Sequence, residues 1–458
     1  MSPVGSFNLL GSRKSAFPSN TMLSKQIFLK AFLVLLGLTS NIPVGFVGVL
    51  KLAELLALFY VLLNRSSLFE ITAVHKDFRK YSLFLMLWLC LGSVASLINM
   101  TDYPYLYSYI PPPVAFAKGA ANIFFIWIST SVFVIALAKD PSLVVYYLVP
   151  YGLSSAVFSP YQYTMEDSTQ KNFLMLTSSD VSDNYFDMYV SPILTPIAIS
   201  LPFLLKGRTS IAIVLIAAFG LLAVAYDAKS MGFIFIMASA ALTLNFLKVK
   251  LSPTMLKFLF VLSPVVVIPV LVMLAQANLL GSSGDKIIRD INRTEHFNPL
   301  LLIGRPAPTI AMVAIWDEPL LGHGFNKQDL QYPSRLKALG YLPFEYSERY
   351  RGIPAHSNLL NAMVEGGIAA GLVWIFLLVI SFKSFYIAFT KDYEAITGYL
   401  FISFFYLLWN ILFSGTLRLD IGHFIAIIIG YNHRNSLQQG TLLQSTWRRQ
   451  LGKPVSPV

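Results

Sequence analysis

What most constrains this chain is a succession of solidly apolar runs, each approaching the roughly twenty residues that an α-helix needs to cross a bilayer. They lie near 27–42, 45–63, 81–98, 115–137, 141–158, 190–205, 209–226, 231–247, 257–278, 357–382, 393–413 and 419–432. Hydrocarbon offers no water to satisfy backbone N–H and C=O groups, so a run of this kind must be a helix or part of a closed barrel. A barrel needs segments of about ten residues that alternate in polarity, and these runs do not alternate. The expected fold class is all-α: a polytopic membrane protein with about twelve transmembrane helices and one large external loop. Composition agrees. The chain is 55% hydrophobic and 12% charged, against about 25% charged for a soluble domain.

The placement of positive charge orients these helices. With the N-terminus inside, the internal segments hold Arg13, Lys14 and Lys25; Arg65, Lys76, Arg79 and Lys80; Lys139; Lys206 and Arg208; Lys248, Lys250 and Lys257; Lys383 and Lys391; and Arg434, Arg448, Arg449 and Lys453. The external segments hold few cations until the long one at 279–356. This is the positive-inside pattern at every internal turn. It divides the chain into an internal tail (1–26), nine helices (27–278), a large external loop (279–356), three helices (357–432) and a second internal tail (433–458). The net charge of +11 is spread between the apolar runs rather than gathered in a patch, so it reports topology and not a nucleic-acid partner. The polar start lacks the apolar core and small-residue cleavage site of a signal peptide and reads as a tail, with a transit peptide as the lesser alternative. The single cysteine, Cys90, sits inside an apolar run and is expected in the core. It excludes an intrachain disulfide.

Residues that could carry chemistry cluster around the 279–356 loop. They are Arg289, Arg293, Arg305, Arg349, Arg351 and His356, with Lys229 and Glu365 on flanking helices. There is no HExxH pair, no GxSxG elbow and no Gly-rich phosphate loop, so neither a metal nor another cofactor is expected. Cations without metal ligands point to direct clamping of an anion such as phosphate. His356 lies just before a helix that starts near Ser357, and a helix N-terminus disfavours positive charge. A neutral imidazole there can act as a base toward a hydroxyl. Plainer readings stand beside these. His356 could cap the helix, and Arg305 could anchor the loop to lipid phosphates. Lys229 could pair locally with Asp227. Glu365, Asn361 and Asn358 form one polar stripe that could be an interior hydrogen-bond network. Gly367 and Gly371 read as a close-packing GxxxG pair. The acidic, tyrosine-rich segment 159–189 is either a sugar-binding surface or a solvated loop, and Arg335–Leu339 before Gly340 looks like a capped helix end.

The segment Asp317-Glu318-Pro319-Leu320-Leu321-Gly322-His323-Gly324-Phe325, then Ala355-His356-Ser357-Asn358-Leu359-Leu360, then Glu365-Gly366-Gly367-Ile368-Ala369-Ala370-Gly371, resembles the signature of the O-antigen ligase and polymerase family. The match covers about 300–371; elsewhere only the topology is similar. The resemblance implies a C-type glycosyltransferase-like plan with a large periplasmic loop between the ninth and tenth helices. It implies that Arg305 and His356 are the essential arginine and histidine. It also implies that Lys229, in Ala228-Lys229-Ser230-Met231-Gly232, stands where the family commonly has arginine, and that Ser357 replaces a commoner asparagine. The implied reaction moves a glycan from an undecaprenyl-pyrophosphate carrier to a hydroxyl at the periplasmic face of the bacterial inner membrane. Pyrophosphate would be held by Arg305 with Lys229, Arg289, Arg293, Arg349, Arg351 and Glu365 around the donor glycan. The implied partners are the lipid-linked donor, a glycan or lipid A–core acceptor, the bilayer, and a chain-length regulator and flippase. Polymerase and ligase share the signature, and the longer external segments favour a polymerase. A transporter of lipid-linked sugars is the rival from another class, although the internal symmetry such folds show is not evident.

The topology is directly testable. A reporter active only outside the inner membrane should work when fused at Gln328 and stay silent at Arg79 or Lys250. Activity at Lys250 would remove the twelve-helix arrangement.

Overall fold

The computed structural model describes residues 20–44, 50–99, 112–138, 140–167, 190–206, 208–226, 229–249, 306–326, 357–391, 394–413 and 418–450, with isolated positions between them such as Tyr332, Ile353 and Ala355. Side chains in 20–24, 159–167, 306–307, 418–420 and 439–450, and that of Lys229, fall outside this description. The architecture is helical: α1 (Asn20–Thr39), α2 (Leu52–Leu63), α3 (Arg65–Val74), α4 (Lys76–Ile98), α5 (Pro112–Leu137), α6 (Val145–Asp167), α7 (Ser191–Leu204), α8 (Thr209–Ala225), α9 (Lys229–Phe246), α10 (Pro306–Asp317), α11 (Asn358–Ala370), α12 (Leu372–Thr390), α13 (Ala395–Phe413) and α14 (Arg418–Gln450). Among the described residues the only strands are Pro43–Val44 (β1) and Leu50–Lys51 (β2), paired antiparallel with Pro43 opposite Lys51. Five described stretches are long and apolar enough to cross a membrane, and six if the bent pair α2–α3 is one span. This is the build of a multi-pass membrane protein.

Each long helix shows why it sits where it does. On α4 the buried residues Phe78, Tyr81, Leu85, Trp88, Gly92 and Ala95 recur every three or four positions and make one face. The opposite face exposes Leu83, Met86, Val94 and Leu97, as a lipid-facing surface does. Cys90 belongs to that outward face and not to the core; an apolar run bounded by lipid does not reveal which of its sides meets protein. In the interior, several hydroxyls are satisfied by their own helices. Ser129 donates to Phe125 O, Ser200 to Pro196 O, Ser384 to Ile380 O and Ser403 to Tyr399 O. Close crossings use small residues. A Cβ on Gly37 of α1 would lie 2.4 Å from the Tyr147 carbonyl of α6, and one on Gly232 of α9 would lie 2.8 Å from the Gly220 carbonyl of α8. Between α12 and α13, Phe385 packs at centroid distances of 4.6 Å from Phe401 and 4.8 Å from Phe404.

Three expected spans take a different form. The run at 45–63 is helical only over α2, preceded by the β ladder and followed by α3 at a bend of 79°. The run at 357–382 is divided into α11 and α12. The last run continues past 432 as one helix to Gln450. Helix α6 also extends into the expected 159–189 loop as far as Asp167. The expected run at 257–278 and helix end at 335–340 lie almost wholly outside the described residues.

The turn between α3 and α4 carries His75, whose ring centroid is 4.1 Å from that of His433 on α14. Its Nδ1 is buried and lacks a hydrogen-bond partner among the described residues. Burial, and then the neighbouring His433, lower its pKa from 6.5 to about 4. A depressed histidine pKa means that the folded state resists protonation. Stability is therefore full above about pH 6.5 and is lost as pH falls toward 4. Thermal unfolding in detergent should show a midpoint that drops across this window, and His75→Phe should flatten the drop. An equal drop in the variant would assign it to other groups.

Candidate functional site

The described part of the candidate region is built from α10, the segment that follows it, and α11. Helix α10 presents Ile310, Ala311 and Ala314, spaced by one turn, to a cluster containing Leu360 and Val364 of α11 with Tyr332, Ile353 and Ala355. The start of α11 is tied down by side chains. Ser357 is its N-cap, accepting from Leu360 N at 3.2 Å while its hydroxyl donates to Ile411 O at 2.8 Å. Asn358 donates to Asn410 O at 3.2 Å. The helix expected to begin near Ser357 therefore does so, and its first turn is held by the end of α13.

Helix α11 then breaks. Gly366 has φ −135° and ψ 21°, and Gly367 has φ 74° and ψ 179°, a region essentially confined to glycine. The helical hydrogen bonds lost at this break are replaced by the segment after α10. His323 N donates to Val364 O at 2.7 Å, Gly324 N to Glu365 O at 3.0 Å, and Ile368 N to Pro319 O at 2.8 Å. The approach is so close that a Cβ on Gly367 would stand 2.2 Å from Leu320 O, and one on Gly322 would stand 2.5 Å from Gly367 N. Gly367 and Gly371 are therefore not the pair of one helix–helix crossing. Gly367 forms the break, and Gly371 caps α11, where a Cβ would come nearest to the side chains of Met363 and Leu359.

The same segment docks on α4 and α5. Phe325 N donates to Ser96 Oγ at 2.7 Å, Asn326 Nδ2 to Ala115 O at 3.2 Å, and Asn99 Nδ2 to His323 O at 3.2 Å. His323 is buried, with Nε2 2.9 Å from the Ala314 carbonyl and 3.2 Å from the Tyr332 hydroxyl. A carbonyl only accepts, so Nε2 carries a proton and His323 braces the end of α10. Glu365 is buried at the break. Its Oε2 accepts from Trp88 Nε1 at 3.2 Å, and Asn361 and the Asn326 backbone also bond to it. This buried carboxyl group, with three donors around it, links α4, α11 and the docked segment.

Of the residues expected to carry chemistry, Glu365 is described fully. Lys229 opens α9, its side chain lying outside the described residues, as do Arg289, Arg293, Arg305, Arg349, Arg351 and His356 entirely. In sequence, the nearest described neighbours are Ile288 for Arg289 and Arg293, Pro306 for Arg305, Ile353 for Arg349 and Arg351, and Ala355 and Ser357 for His356. Among the described residues no three His, Cys, Asp or Glu side chains gather as metal ligands. The partners of the docked segment were not singled out in the sequence. A signal for them exists: Trp88, Gly92 and Ser96 recur every fourth residue on α4, as do Ala115 and Gly119 on α5. No protein-family model matches the chain, and no curated protein does either.

The two glycines of α11 separate these packing readings. Gly367→Ala places a side chain where only glycine fits and should lower stability by about 1–3 kcal/mol or more, seen as a marked fall in the detergent melting temperature. Gly371→Ala meets flexible side-chain atoms at helical φ and should change it little. Equal losses would restore the simple GxxxG crossing.

Proposed function

We propose that this protein is a membrane glycosyltransferase that moves a glycan from an undecaprenyl-pyrophosphate carrier to a hydroxyl acceptor at the periplasmic face of the bacterial inner membrane, acting as a repeat-unit polymerase for O-antigen or exopolysaccharide. One observation supports the reading above all. Two of the three parts of the signature that resembles the O-antigen ligase and polymerase family, Asp317–Phe325 and Glu365–Gly371, exchange backbone hydrogen bonds in space. A motif whose distant parts build each other is a structural unit, and this unit sits between the helix that follows Arg305 and the helix that follows His356.

In the proposed reaction the acceptor hydroxyl oxygen attacks the anomeric carbon of the carrier-linked sugar. The C–O bond to pyrophosphate breaks, and pyrophosphate leaves with the electron pair. The hydroxyl proton passes to His356, kept neutral by the N-terminus of α11. Arg305 clamps the developing negative charge through a planar, bidentate guanidinium, and Lys229, Arg289, Arg293, Arg349 and Arg351 add positive potential. Twelve helices with both termini cytoplasmic would bring the 279–356 loop and the carrier tail to the same leaflet. The ligase reading keeps the same chemistry and changes only the acceptor to lipid A–core or a protein hydroxyl. A transporter reading draws on the broken helix α11, since transporters coordinate cargo with backbone groups freed by such breaks. Here the docked segment already takes the freed groups of Val364, Glu365 and Ile368, which favours a rigid brace over a cargo site.

Purified protein in defined lipid, supplied with an undecaprenyl-pyrophosphate-linked repeat unit, should lengthen it. Arg305→Ala should abolish transfer with the protein still folded, and Arg305→Lys should restore little, for want of the fork. His356→Gln should lose about 10²- to 10⁴-fold in rate while still binding the carrier lipid. Wild-type rates in His356→Gln would remove the base from the mechanism. In cells, deletion should leave single-repeat surface glycan; full-length polymer remaining on the carrier lipid would make the protein a ligase instead.

A further inference from the structure

We infer that Phe325 is a positioning residue for transfer: seated between Gly92 of α4 and Gly119 of α5, its ring holds α10 in register with α11, and so sets how the chain before each of these helices is presented to the donor. This rests on the glycosyltransferase reading. The seat is tight on both sides. A Cβ on Gly92 would lie 2.4 Å from Phe325 Cε1, and a Cβ on Gly119 would lie 2.4 Å from Phe325 Cβ. The ring is 2% exposed and tilts against Phe116 at 6.1 Å. Glycine in a helix interior costs about 0.5–1 kcal/mol relative to alanine. Neither Gly92 nor Gly119 has the left-handed backbone that would require glycine. Two such positions at one level on neighbouring helices are accounted for by the ring between them.

The geometry also shows how the seat acts at a distance. Phe325 touches no carboxylate or cation among the contacts described; it is anchored by Ser96 on its backbone and by aromatic and glycine surface on its ring. It is not a catalytic residue. The segment Glu318–Gly324 joins it directly to the end of α10, and that segment bonds to the break in α11. With Phe325 seated, α10 has no freedom to slide along α11. Arg305 immediately precedes α10, and His356 precedes the N-cap of α11. Displacements of about 1 Å in a reacting constellation can cost on the order of a hundredfold in rate. Unseating Phe325 therefore slows the chemical step more than it weakens donor binding, because the attraction of several cations for pyrophosphate tolerates a shift of about 1 Å that the reacting geometry does not.

The test uses the full chain in defined lipid with an undecaprenyl-pyrophosphate-linked repeat unit. Gly92→Ala should lower kcat by roughly tenfold or more and move the donor KM by no more than about threefold. Phe325→Leu lacks the Cε1 and Cζ atoms that the new methyl would strike, so Gly92→Ala combined with Phe325→Leu should recover most of the lost kcat. Unchanged kcat in both Gly92→Ala and Phe325→Ala, or a loss that the double variant does not repair, overturns the inference. Docking is read separately from activity. In a Cys90→Ser background, Ser96→Cys should resist a water-soluble maleimide and become reactive when Phe325→Ala is added. Equal labelling with and without the ring would show that Phe325 does not hold the segment. A wild-type protein that transfers nothing overturns the glycosyltransferase reading, and the maleimide comparison then still decides whether the ring seats the segment.

Discussion

Three backbone hydrogen bonds, from His323 N to Val364 O, from Gly324 N to Glu365 O and from Ile368 N to Pro319 O, are the constraint on which the rest of this region depends. A buried stretch of backbone cannot leave its carbonyls and amides unpaired, since each orphan costs about as much as a lost hydrogen bond. Helix α11 nevertheless breaks at Gly366–Gly367. It can do so because a segment 41 to 49 residues upstream supplies the missing partners. The dependence runs both ways, because without the break the segment would have no donors or acceptors to meet. Gly322 and Gly367 face each other at distances that exclude any side chain, so the two stretches of sequence are matched.

From that contact the organisation spreads outward by packing. The segment carries Phe325 into the seat between α4 and α5, and His323 ties it back to the end of α10. Glu365 gathers Trp88, Asn361 and the Asn326 backbone at the break. Ser357 and Asn358 fasten the start of α11 to α13. Polar groups in this neighbourhood do structural work: each bridges elements that an apolar contact alone would leave free to slide. Lipid surrounds the bundle and gives no net hydrophobic drive between helices, so close packing and such bridges must supply specificity.

Part of the candidate site was legible beforehand. The stretches Asp317–Phe325, Ala355–Leu360 and Glu365–Gly371 stood out together through a family resemblance, and the polar stripe of Asn358, Asn361 and Glu365 was read from helical spacing. The start of α11 near Ser357 followed from the apolar run at 357–382. The partners on α4 and α5 were hidden because glycine, serine and tryptophan within an apolar run look like any other membrane helix. Cys90 was misplaced for a related reason. In water a helix betrays its core side by contrast with its polar side; in lipid both sides are apolar, and the period carries no direction.

By itself, then, the sequence determined which stretches are helices in α4, α5, α8, α9 and α13, because hydrocarbon tolerates nothing but contiguous apolar residues with internally bonded backbone. It also determined the helical class. Tertiary structure decided what those stretches do to one another. That α11 breaks, that α2 bends into α3, that Gly367 faces Leu320 and that Gly92 and Gly119 receive Phe325 all depend on distances between residues far apart in the chain. Local propensity cannot encode such distances. A Gly-Gly pair permits a break, but only a partner with free backbone groups at the right place makes it more stable than the unbroken helix.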